Sequence, residues 1–121
     1  MRQLFRFVAV LALLTSLSGC DSAAAAGTQA VGAWGDTESA GQPSLVFDSD
    51  GSVSGSDGCN RLMGRWTAHG DTVSLGRLAS TMMACEGVYT WLNAAASGRI
   101  DGEKLHIFDA SGAEIGRLER G

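Results

Sequence analysis

The chain has 121 residues, nine Lys and Arg against thirteen Asp and Glu, three cysteines and a formal net charge of −4. That acidic balance argues against a nucleic-acid partner, which selects a basic surface, and against polybasic docking on anionic lipid. The length suits one small domain with a thin core.

In chain order, MRQLFRFVAVLALLTSLSGC (1–20) sets Arg2 and Arg6 ahead of an apolar run from Phe7 to Leu14, and small residues follow as far as Cys20. This is the anatomy of a secretory leader. The run falls short of the ~20 residues that span a bilayer. LSGC (17–20) resembles a bacterial lipobox, in which the cysteine thiol takes a lipid and the leader is cut just before it. Ordinary cleavage after Ala26 is the competing reading, since Ala24 and Ala26 meet the small-residue rule. The expected organisation is a lipoprotein signal peptide at 1–19, a lipidated Cys20 with a flexible tether at 20–28, and one folded domain at 29–121. The expected partner is a membrane, reached through the lipid on Cys20. The location is the bacterial envelope on its extracytoplasmic side, with inner or outer membrane left open. Without residues 1–19, seven basic residues face thirteen acidic ones.

The rest reads mostly as short strands. QAVGAW (29–34) and SLVFD (44–48) are expected strands; DSDGS (48–52) is a turn that returns into SVSG (52–55). RLMGRWTAHG (61–70) reads as one strand with Leu62, Trp66 and Ala68 on one parity, and Gly70-Asp71 turns the chain into TVSLG (72–76). GRLAST (76–81) reads as a loop or short edge. VYTWLNAAAS (88–97) is the one expected helix, because Val88, Trp91, Leu92 and Ala95 fall on one face at helical spacing. Gly98 suits its C-cap. KLHIFD (104–109) and EIGRLE (114–119) form a closing hairpin. Together these predict a compact antiparallel sheet with one helix.

With Cys20 lipidated, Cys59 and Cys85 are an even pair in an oxidising compartment, and a disulfide is the leading reading. Two buried reduced thiols are the alternative. A metal site would need His69 and His106 too, and no C-x-x-C or H-x-x-H spacing supports it. No metal and no cofactor is expected. No G-x-S-x-G, H-E-x-x-H or phosphate-loop pattern appears, so no catalytic residue is assigned and the chain is not read as an enzyme. DSDGSVSGSDG (48–58) is loosely calcium-like, but its glycine and its twelfth residue, Cys59, do not fit a calcium loop. It reads as a hairpin turn. Asn60, beside that turn, reads as bonding its own backbone.

VSGSDGCNRLMGRW (53–66) followed by LASTMMAC (78–85), with the tail LHIFDASGAEIGRL (105–118), resembles the META domain family, which includes HslJ-like heat-shock lipoproteins. The matching residues are Gly55, Gly58, Cys59, Asn60, Gly64, Thr81, Met83, Ala84 and Cys85. The resemblance implies an α+β, mainly β fold: a curved antiparallel sheet, a partial barrel, with one helix packed against it. It also implies a role in stress tolerance at the envelope without a fixed biochemical activity. The expected function is that of a membrane-tethered bacterial envelope lipoprotein of structural or interaction type. An unidentified envelope protein is the partner class left open. The alternative is a small lipid- or peptide-binding module, with a groove between sheet and helix beside Trp66, Met83 and Trp91.

Overall fold

The computed structural model describes residues 29–121. The leader, Cys20 and the tether lie outside the described residues. Ten strands follow: β1 (Gly32–Gly35), β2 (Pro43–Phe47), β3 (Ser52–Asp57), β4 (Arg61–Arg65), β5 (Thr67–His69), β6 (Thr72–Ser74), β7 (Ala79–Ser80), β8 (Ser97–Asp101), β9 (Lys104–Phe108) and β10 (Glu114–Glu119). They form two five-stranded antiparallel sheets, in the orders β1-β2-β3-β4-β7 and β10-β9-β8-β6-β5.

The single curved sheet expected from the sequence is therefore two sheets, and no barrel closes. The division falls at Trp66, within the run expected to be one strand. Its N–H donates to Gly51 O at 2.9 Å, and its indole Nε1 donates to Asp48 O at 2.9 Å. Its ring meets Phe47 edge-on, with centroids 5.4 Å apart. Held by the β2–β3 turn, Trp66 ends pairing with the first sheet, and Thr67 begins pairing with β6 in the second. Strands that change sheets in this way make the corners of two-layer β folds.

Alternation puts Leu45 and Phe47 of β2, Val53 of β3 and Leu62 of β4 on the inner face of the first sheet. Val73, Ile100, Leu105, Ile107 and Leu118 answer from the second. Trp34, Leu75 and Leu92 complete a core that has little or no exposure. The β2–β3 turn is closed by Asp48 N–H to Ser52 O at 2.8 Å and by Gly51 N–H to Asp48 O at 3.0 Å. Asp50 Oδ1 accepts from the Ser52 hydroxyl and N–H. Those bonds hold the Asp50 carboxyl below its ordinary range.

The helix expected over 88–97 is absent. A single 3-10 turn, Trp91–Ala94, stands in its place. Its N-cap, Thr90, makes no side-chain cap bond. The first half of the run, Val-Tyr-Thr-Trp, is β-branched or aromatic and favours a helix weakly. An isolated helix this short is marginal without caps or strong propensity. Competing bonds then win: Leu75 N–H donates to Ala96 O and Ala96 N–H to Phe108 O, drawing the chain into β8. The helical spacing was accurate about burial, since Leu92 and Ala95 are both in the core. Gly98, expected as a C-cap, instead sits in mid-strand opposite Val73 and Ile107.

Candidate functional site

The residues that carry the family pattern meet at one end of the first sheet. Asp57 closes β3 and is fully buried. Its Oδ1 accepts the N–H groups of Cys59 at 2.9 Å and Asn60 at 2.6 Å, and its Oδ2 accepts Asn93 Nδ2 at 3.2 Å. Three donors thus satisfy a carboxylate that burial alone would penalise. Gly58 between them has φ +100°, and a Cβ there would stand 2.8 Å from Gly41 O. Only glycine fits so tight a return.

The turn aims Asn60 across the sheet. Its Oδ1 accepts Met83 N–H at 2.6 Å and the Thr81 hydroxyl at 3.0 Å, while its Nδ2 donates to Met83 O at 3.3 Å. A side-chain amide thereby replaces a backbone amide and pairs both polar groups of Met83. One step along, Thr81 N–H donates to Arg61 O at 3.1 Å and Thr81 Oγ1 accepts Arg61 N–H at 3.0 Å. The short β4–β7 ladder is thus prolonged to Met83 by side chains. Asn60 does not bond its own backbone as expected; the carboxylate of Asp57 takes that role.

Cys59 and Cys85 are joined in a disulfide with Cα atoms 5.9 Å apart, a separation suited to the bond. It closes a sequence separation of 26 residues, worth roughly 3.5 kcal/mol in the chain-entropy model. Cys59 Sγ also lies 3.6 Å from Met83 O. A disulfide sulfur has no proton to give, so this is a packing contact. Asp57, Asn60 and the disulfide together form a clasp that holds residues 81–85 from behind.

What the clasp presents is apolar and exposed. Met82 is 93% exposed, Met83 61% and Met63 52%. Methionine normally fills irregular gaps in a core. Here every methionine of the described residues faces solvent, on this one end of the first sheet. Two shallow clefts flank the segment. One of about 470 Å³ is lined by Ser54, Asn60, Arg61, Met63 and Met83, among others. One of about 520 Å³ runs along Ser80, Met82 and Ala84 towards Thr90 and Asn93. No carboxylate lines either.

The groove expected beside Trp66, Met83 and Trp91 does not form, since the helix that would wall it is absent. Met83 lines both clefts and neither tryptophan does. Trp66 packs on Phe47 at the corner between the sheets. Trp91 lies over Gly116 of β10, where a Cβ would come within 2.6 Å of its ring. His106 Nδ1 is 2.9 Å from Glu114 Oε2, and that bond holds the Glu114 carboxyl below its ordinary range. Cys20 lies outside the described residues.

Sequence reasoning missed Asp57 and Asn93 as parts of the site. Asp57 had a signal, because an Asp two and three residues before the N–H groups that donate to it is the pattern of an Asx turn. Asn93 had none, since its partner lies 36 residues away.

No curated protein and no solved structure matches the chain. The family model of the META domain matches residues 22–121, the span that contains the clasp and both sheets. The chain belongs to the META domain family.

Proposed function

We propose that this chain is a bacterial envelope lipoprotein that works by binding another envelope component and not by catalysis, in support of stress tolerance. Cys20 carries the lipid, residues 20–28 are the tether, and the META domain presents the clasped segment 81–85. The observation that carries this reading is the clasp itself. A disulfide, a buried carboxylate and a side-chain amide are all committed to holding one short stretch whose outward side is methionine-rich and exposed. A persistent disulfide fits an oxidising compartment outside the cytoplasm. META domain membership, which points to a stress-related, envelope-type family, supports the same setting. The two clefts hold hydroxyls, amides, thioethers and Arg61, a lining suited to recognition.

Two measurements test the two halves. Cells fed labelled palmitate should label the wild-type protein and leave Cys20→Ser unlabelled, with the variant lost from the membrane fraction. An unchanged membrane fraction for the variant would remove the tether. A photo-crosslinking residue at position 82 should give a discrete adduct in intact cells, where the same residue at position 111 gives none. Equal adduct patterns at both positions would remove the binding role of the clasped segment.

A further inference from the structure

We propose that the outer edge of residues 80–84 receives an extended, acidic segment of a partner protein, which adds to the first sheet as a new strand beside β7. The proposal rests on the interaction-type reading above and names its surface and the chemistry of its partner.

β7 is the last strand of its sheet. Thr81 bonds to Arg61 and Met83 bonds to Asn60, so the odd positions turn inward. By alternation, the N–H and C=O groups of Ser80, Met82 and Ala84 turn outward. Among the described residues, no group accepts the N–H of Met82 or Ala84. The result is a set of unpaired backbone N–H groups continuing the outer edge just beyond β7, the template on which a further strand pairs. Most proteins blunt such an edge with a bulge, a proline or a cover. Here the clasp fixes it open from behind, so little ordering remains to be done on binding.

Charge identifies the occupant. The domain is acidic overall, yet no Asp or Glu lines the two clefts or a third, smaller one between Arg61, Met63 and Ala79 beside them. Arg61 lines two of them, and exposed Arg77 enters β7 from its other end. Elsewhere the basic residues sit beside acids: Lys104 with Glu119, Arg120 with Glu103, Arg99 and Arg117 near Glu114, and Arg65 near Asp50. Arg61 and Arg77 have no ion-pair partner among the described residues. An acidic strand answers both. A second copy of this chain, paired edge to edge, would set this arginine-bearing edge against its like. A basic strand would meet the same repulsion. Met63, Met82 and Met83 add soft contacts that adapt to different side chains on the incoming strand.

The test uses the full mature protein, isotope-labelled and held in a zwitterionic detergent. The probes are peptides of about ten residues, one alternating threonine with glutamate and one alternating threonine with lysine. The acidic peptide should slow hydrogen exchange at Met82 and Ala84 by about tenfold or more and leave Thr81 and Met83 little changed. Met82→Pro removes one outward donor at an exposed position and should abolish the slowing at Ala84 without shifting the thermal unfolding midpoint. Arg61→Glu should weaken the acidic peptide about tenfold or more and transfer the preference to the lysine peptide. The proposal falls if the acidic peptide slows neither amide at about millimolar concentration, or if the lysine peptide acts equally on the wild type. It also falls if raised protein concentration or anionic vesicles alone produce the same slowing, which would mean self-pairing or a lipid surface. Palmitate labelling of Cys20 is read separately, so loss of the tether and loss of the edge are distinguishable outcomes.

Discussion

The two edges of the first sheet are built in opposite ways. At the β1 edge, Trp34 is fully buried and its Nε1 donates to Ala30 O at 2.9 Å. The guanidinium of Arg120 lies 4.1 Å from the ring centroid, and the chain's last residues bridge onto β1 through Trp34–Arg120 and Gly121 N–H to Ala33 O. That edge is covered and contributes to the core. At the β7 edge no strand among the described residues pairs with the outer side. All the support comes from the inner side, through Asn60, Asp57 and the disulfide. The difference is one of construction: one edge is closed to hold the fold, and the other is braced so that its outer side stays open.

Trp34→Ala should have the largest effect. Removing a fully buried tryptophan that also anchors a hydrogen bond is expected to cost ~3–5 kcal/mol, read as a drop in urea midpoint. Replacing both Cys59 and Cys85 with serine should cost roughly 3.5 kcal/mol. Unlike the Trp34 change, it should release residues 81–85 to proteolysis at urea concentrations where the sheets remain folded. A double variant as resistant at 81–85 as the wild type would show that the disulfide does not brace the edge.

Asn60→Ala should cost about 2 kcal/mol, because it leaves Met83 N–H and Thr81 without their acceptor. A cost under about 0.5 kcal/mol would mean that water replaces the amide freely. Acidification should act more weakly and elsewhere. Asp36, Asp50 and Asp109 have carboxyl groups held below the ordinary 3.8, first by the Glu38 N–H, the Ser52 side chain and the Ser111 side chain respectively. A carboxylate depressed in the folded state contributes stability that is whole above its unfolded value and lost as pH falls through its folded value. The urea midpoint should therefore hold steady from neutral pH to about 4.5 and fall below that. These groups are exposed, so solvent screening keeps the change small. Met82→Lys should change stability by less than about 0.5 kcal/mol, since Met82 is almost wholly exposed. A larger loss would show that the methionine packs within its own chain.

Much of the sheet was legible in the sequence, because alternation is a local signal. Leu45 with Phe47 and Leu105 with Ile107 announced β2 and β9, and Asp50-Gly51 announced the turn between β2 and β3. The meeting of Cys59 and Cys85 was open to counting, once the third cysteine was given another task. β8 was hidden: in Ser-Gly-Arg-Ile-Asp only Ile100 is large and apolar, and Gly98 looked like the end of a helix. The helix itself was a misreading of burial as periodicity. A 3-10 turn followed by an extended segment can bury the same Leu92 and Ala95. The clasp was half legible. Its residues stood out as a pattern, but which atom of Asn60 meets which atom of Met83, 23 residues away, depends on the pairing between β4 and β7.

Native-state hydrogen exchange of the unliganded protein, resolved residue by residue from Thr81 to Ala84, tests the account most directly. Thr81 and Met83 donate inward and Met82 and Ala84 do not, so the four amides should alternate. The first pair should exchange about a hundredfold or more slowly than the second, and Asn60→Ala should remove the protection of Met83 alone. Uniform exchange across the four amides, whether all fast or all slow, would contradict a braced edge with its outward side open.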